Sequence, residues 1–106
     1  MYSAVIEELI EKFERLPGIG HKSAERISFY ILEHMSGEDA EKMADSIVKA
    51  KKTIRFCECC QNLTDVSPCA ICSSAKRDRS MICVVESPED VSAIENTHEY
   101  NGLYHV

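Results

Sequence analysis

Residues 80–106 contain no lysine and no arginine, against five acidic residues. All twelve basic residues lie in residues 1–79, beside thirteen acids. The net charge of −6 therefore divides into −1 over residues 1–79 and −5 over the tail. Any surface that docks on a phosphate backbone must come from local basic clusters upstream of the tail, whatever the net charge. No apolar run approaches the ~20 residues of a membrane-spanning helix. No export signal is recognisable either: MYSAVIEELIEKF sets acids among its apolar positions and reads as an amphipathic helix. A cytoplasmic protein is expected. In that compartment the six cysteines stay reduced, so they point to metal binding and away from a disulfide scaffold. Internal repeats and low-complexity stretches are also missing. What remains is ordinary globular composition, 44% apolar and 28% charged in 106 residues, enough for one or two small domains.

Apolar spacing predicts three helices in the first half. Val5, Ile6, Leu9, Ile10, Phe13 and Leu16 share a face over residues 4–16, with Ser3 as N-cap and Pro17-Gly18 as the stop. A second helix fits residues 21–35, with Ala24, Ile27, Ile31, His34 and Met35 near one stripe. The spacing leaves His34 partly buried and His21 exposed in the turn. The third begins near Glu38 after an imperfect Ser36/Asp39 capping box and runs to about Ile54, with Ala40, Met43, Ala44, Ile47 and Val48 on its face. Residues 55–80 lose this periodicity and read as loop and short hairpin. Residues 81–86, MICVVE, read as a buried parallel strand, and Cys83 within it as core. Ser87-Pro88 starts a helix whose Val91, Ala93 and Ile94 could face a sheet, Asn101-Gly102 reads as a turn, and LYHV as a second strand. The expected class is α+β and multi-module, with divisions at 1–54, 55–80 and 81–106 and a βαβ crossover in the last.

The stretch CECCQNLTDVSPCAIC carries five of the cysteines. Cys57-x2-Cys60-x8-Cys69-x2-Cys72 is a pair of zinc knuckles, and four thiolates make a closed tetrahedral site with no position for water. The expected cofactor is one structural zinc ion per chain, with no hydrolytic chemistry. A redox C-x-x-C needs only one pair, and an iron–sulfur cluster is the less favoured alternative. Cys59 is left over, because using it for Cys60 would lose the knuckle loop. Lys51, Lys52, Arg55, Lys76 and Arg77 flank the site and are expected to offset its negative charge.

Leu16-Pro17-Gly18-Ile19-Gly20 joins the first two helices. Gly18 and Gly20 open backbone conformations closed to other residues and leave bare N–H groups at a helix N-terminus. Lys22 and Arg26 follow one turn apart. The combination suits one DNA phosphate held without reading sequence. The bland alternative is a tight turn between helices. Lys49-Ala50-Lys51-Lys52 and Lys76-Arg77-Asp78-Arg79 read as solvated faces that add nonspecific phosphate attraction.

With LPGIG, the four-cysteine spacing with NLTD inside it, KRDRSMICVVESPEDVSAIE and YNGLYHV in this order, the whole chain resembles the RecR family of bacterial recombination mediators. The resemblance implies a helix-hairpin-helix, a zinc finger and the start of a Toprim domain, hence an N-terminal fragment. It implies recombinational DNA repair without catalysis: binding of single- and double-stranded DNA, and action with RecO and sometimes RecF to load RecA onto single strands coated by single-strand-binding protein. Ring-shaped tetramers are the family's assembly, and a dimer through residues 1–54 is expected here. The resemblance also implies that Lys22 and Arg26 contact DNA. Glu86 falls where Toprim enzymes carry a catalytic acid, but no Asp-x-Asp follows it. Two alternatives stay open: a piece of a Toprim primase or topoisomerase, and a zinc-stabilised protein-interaction module.

Overall fold

A computed structural model describes residues 2–106, and the chain divides into two compact units, Met1–Val48 and Lys49–Val106. In the first unit α1 (Ala4–Glu14) packs on α2 (His21–His34). Ser3 caps α1 as its hydroxyl accepts from the Ile6 N–H at 3.4 Å. The helix stops two residues before the expected end, and Leu16 stands exposed in the connection.

The packed face of α2 differs from the expected stripe. Ala24 and Ser28, one turn apart, are the buried pair, Ile27 and Ile31 are half-buried, and His34 is exposed. A small hydroxyl side chain therefore occupies a core position that apolar counting skips. Among the described residues its Oγ has no hydrogen-bond partner. A buried hydroxyl without a partner costs roughly 1–3 kcal/mol. Ser28→Ala is thus expected to raise stability by about 1 kcal/mol. A lower melting temperature for that variant would show that the hydroxyl has a partner after all.

Helix α3 (Gly37–Thr53) begins where Ser36 accepts from the Asp39 N–H at 3.1 Å. None of its residues is buried, and Met43, Ile47 and Val48 are about half exposed. The apolar face expected from sequence exists, but it is uncovered in the single chain.

The second unit takes in the end of α3 and then a hairpin of β1 (Arg55–Phe56) and β2 (Leu63–Thr64), paired antiparallel, followed by the short α4 (Ala70–Ser73). Then β3 (Asp78–Val84), α5 (Pro88–Glu95) and β4 (Gly102–His105) form the expected crossover, with β3 and β4 parallel. Pro88 opens α5, and the Ser87 N–H donates to the Asp90 carboxylate at 3.1 Å.

Strand β3 begins three residues earlier than expected and ends before Glu86. It is not a buried strand: Met81, Ile82 and Val84 are exposed and Cys83 is half-buried. The sheet of this unit has two strands, which cannot cover a strand on both faces. The buried positions are Val91 on α5 and Gly102 and Tyr104 on β4, while Ala93 faces solvent. Asn101-Gly102 is not a turn, for Gly102 is the first residue of β4. A Cβ there would overlap the Tyr100 ring and come within 3.0 Å of the Met81 Cβ. Close approach of Tyr100, whose hydroxyl donates to the Leu103 carbonyl at 2.8 Å, is what requires glycine.

Candidate metal centre and phosphate-binding hairpin

The sulfurs of Cys57, Cys60, Cys69 and Cys72 all lie within 4.8 Å of one another. Cys57 directly follows β1, Cys69 caps α4 and Cys72 lies inside it, so hairpin and helix deliver two ligands each. The knuckle closes as the Gln61 N–H donates to the Cys57 carbonyl at 2.8 Å and the Cys57 N–H to the Asn62 carbonyl at 2.7 Å. Gln61 takes a left-handed conformation, φ 66°, to make that turn.

The Cys60 and Cys69 sulfurs are 3.6 Å apart and those of Cys57 and Cys72 3.9 Å. A tetrahedron with zinc–sulfur bonds of ~2.3 Å has edges of about 3.8 Å. The donor set therefore fits one structural zinc ion with four protein ligands. Backbone N–H groups support the sulfurs: Cys69 donates to Cys57 Sγ at 3.3 Å and Cys72 to Cys69 Sγ at 3.5 Å. Such contacts fix ligand orientation and spread thiolate charge. Burial works against ionisation of Cys57, yet the N–H groups of Cys69, Cys60 and Cys59 outweigh it and bring its pKa down to about 6. Burial dominates at Cys60 and pushes it up to about 11. Cys59 is exposed and outside the cluster, as its leftover place in the spacing predicts.

The basic residues around the site depart from expectation. Arg77 does not serve the metal centre. Its guanidinium pairs with Glu95 on α5 and donates to the Gly102 carbonyl at 3.3 Å, and Tyr104 donates to the same carboxylate at 2.5 Å. Arg77 therefore ties the start of β3 to α5 and β4. Arg79 instead reaches back to the finger, donating to the Cys72 carbonyl at 2.7 Å and the Ser74 carbonyl at 3.4 Å. Each pair joins two different elements, Arg77 to Glu95 on α5 and Arg79 on β3 to Cys72 in α4, so no periodicity within one element could single them out.

In the hairpin Gly18 has φ +79°, a conformation that glycine alone adopts freely. Gly20 does not need that freedom: it is extended, with φ −82° and ψ 179°. Its contribution is different. As N-cap of α2 it has no side chain to cover the first N–H groups, which stay open to an anion. Lys22 and Arg26 are exposed on the first two turns of α2. Among the described residues neither has a carboxylate within ion-pair distance. His21 is occupied otherwise, between Glu14 at hydrogen-bond contact and Glu25 at 3.6 Å. The hydrogen bond to Glu14 raises its pKa above the ordinary histidine value. Tyr2 donates to Glu25 at 2.7 Å.

Glu86 is exposed beyond the end of β3. Among the described residues the four cysteines are the one cluster of three or more metal-capable side chains. Among the described residues no helix is long and apolar enough to cross a membrane.

Comparison with known families agrees with this geometry in order and extent. A model described as RecR, helix-hairpin-helix matches residues 6–51, taking in the hairpin and α2. A second, described as the RecR four-cysteine zinc finger domain, matches residues 54–74, taking in all four ligands. A Toprim domain model matches residues 80–106. The two RecR models together take in more than half of the chain, and with the Toprim match they follow the order that the fold displays: the chain belongs to the RecR family, whose domains serve DNA recombination and repair.

Proposed function

We propose that the protein is a non-catalytic recombination mediator that holds DNA by its backbone at Gly18, Gly20, Lys22 and Arg26. The observation that carries this is the state of Lys22 and Arg26: two exposed cations without carboxylate partners among the described residues, on the first turns of a helix whose N-terminus has no side-chain cap. A phosphate placed there meets open N–H groups and two cations at once, and no base edge is read. Both single strands and duplexes offer such a phosphate.

In this reading the protein acts with RecO, and with RecF, to load RecA onto single-stranded DNA coated by single-strand-binding protein. The modules 1–54, 55–80 and 81–106 divide the work into DNA grip, rigid connector and Toprim contact. Residues 1–54 also supply a homodimer contact, on the way to the family's tetrameric ring. The uncovered Met43, Ile47 and Val48 of α3 support that contact, since apolar groups this exposed gain from burial against a second copy.

The test is a DNA titration at several salt concentrations. Lys22→Ala with Arg26→Ala is expected to weaken binding about equally on unrelated sequences and to flatten the slope of log K against log salt by roughly 1–2. An unchanged affinity and slope would place the DNA site elsewhere. Light scattering checks the dimer.

A further inference from the structure

Two turns beyond the hairpin, on the outward side of α2, an aromatic ring lies open beside the free cations. Tyr30 is 58% exposed. Lys22, Arg26 and Tyr30 are spaced four apart and form one row, which runs about 12 Å along the helix. Ser23, Arg26, Ile27 and Tyr30 line a groove of about 450 Å³. A second depression of about 330 Å³, sharing Arg26 and Tyr30 with the first, is lined by Arg26, Phe29, Tyr30, Glu33 and His34. The His34 ring sits 5.6 Å from the Tyr30 ring, centroid to centroid, inclined at 40°. Packing against α1 does not explain this ring, because α2 buries Ala24 and Ser28 there.

We infer that Tyr30 is a stacking platform for an unpaired nucleobase, so that α2 takes hold of single-stranded DNA by base as well as by phosphate. This rests on the phosphate-binding reading of the hairpin. A cation and an open aromatic face in one groove match the two recurring parts of a single-strand site: charge that follows the backbone and a flat apolar surface under a base. Stacking is indifferent to base identity, since every base has a π-face, so the site adds preference for strand state and none for sequence. In a duplex the bases are already stacked on each other and Tyr30 has nothing to receive. The strip thus discriminates: Lys22 and Arg26 serve any DNA, and Tyr30 serves only a strand with free bases. Arg26, shared by both depressions, joins the two functions. The half-buried Ile27 gives the groove an apolar floor.

The experiment uses the whole chain with a thymidine single strand, an abasic single strand of equal length and a duplex. Tyr30→Ala is expected to weaken the thymidine strand by at least about fivefold and to leave the abasic strand and the duplex unchanged. Tyr30→Trp is expected to keep the affinity. Because the chain has no tryptophan, its indole is the sole one, and the thymidine strand but not the abasic strand should quench it. If Tyr30→Ala binds the thymidine strand normally, or the indole stays bright at saturation, the platform is wrong. Lys22→Ala with Arg26→Ala separates this failure from failure of the hairpin reading. A pair that weakens all three DNAs keeps the hairpin even when Tyr30 fails, and a pair without effect removes the hairpin even when Tyr30 succeeds. If Tyr30→Ala instead lowers the mass in light scattering, the groove holds a second copy of the chain, and the inference falls.

Discussion

A Cys69→Ser chain is expected to bind no zinc at stoichiometric concentration and to lose the fold of residues 55–80. The finger has almost nothing else to hold it. Its buried residues are Cys57, Cys60 and Cys69 themselves, joined by half-buried Ile71 and Cys72. The larger apolar side chains, Phe56, Leu63 and Val66, stand out in solvent. β1 and β2 are two residues each, too short a hairpin to be stable alone. Metal binding in comparable small domains supplies roughly 10–16 kcal/mol at neutral pH, which is then folding free energy. Serine keeps the size of Cys69 but offers zinc a poor ligand. Its hydroxyl can still accept from the Cys72 N–H and cap α4, so what the substitution takes away is the metal bond. Metal analysis and amide exchange over residues 55–80 check the result. A chain that keeps protected amides there after chelation would show that the metal is dispensable.

Arg77→Met is expected to cost roughly 2–4 kcal/mol. The Arg77 and Glu95 side chains are only 15% and 29% exposed. Methionine replaces the stem but leaves the Glu95 carboxylate with Tyr104 as its only remaining donor among the described residues. It also leaves the Gly102 carbonyl without its guanidinium donor. The charge-assisted bond to Arg77 holds the Glu95 pKa below the usual carboxylate range, although burial opposes it. A carboxyl with a depressed folded-state pKa stabilises the fold fully above its unfolded value, about 4.3, and loses that contribution as pH falls through the folded value. The wild type should therefore lose stability in acid through this group, and Arg77→Met should weaken the loss. Burial and Glu95 raise the Tyr104 pKa, so its hydroxyl stays a donor throughout. Urea midpoints of the two zinc-loaded proteins at pH 7 decide the stability cost, and equal midpoints there would mean that the pair contributes nothing; the acid dependence is read from the Glu95 carboxyl signal itself by NMR titration.

The metal centre was legible because a knuckle is a local object. Two cysteines with two residues between them must sit on one tight turn, and the structure adds only the Cys69 and Cys72 N–H groups aimed at sulfur. The three helices and the parallel crossover were legible for a related reason, since periodicity and capping residues act over a few positions. What sequence hid depends on distant neighbours. MICVV looks like a strand buried on both faces, but an apolar run does not say whether anything lies over it, and here Ile82 and Val84 face solvent. Ser28 fell outside the apolar stripe because a small hydroxyl does not look like core, although close packing of α1 on α2 favours a small residue. Gly102 resembled half of a turn until Tyr100 was seen lying across it. Arg77 looked like one more base in a charged run, and only Glu95, on another element, gives it a role.

One backbone bond links the metal to the sheet. The Val106 N–H, next after β4, donates to the Cys60 carbonyl at 2.9 Å, while Arg79 on β3 holds the Cys72 carbonyl. Each knuckle is thereby fastened to one strand of the parallel pair. The finger and the sheet should then open together as a single foldon, although family boundaries separate them. Zinc would set the cooperativity of both, and a cell short of the ion would disarm the strands along with the finger.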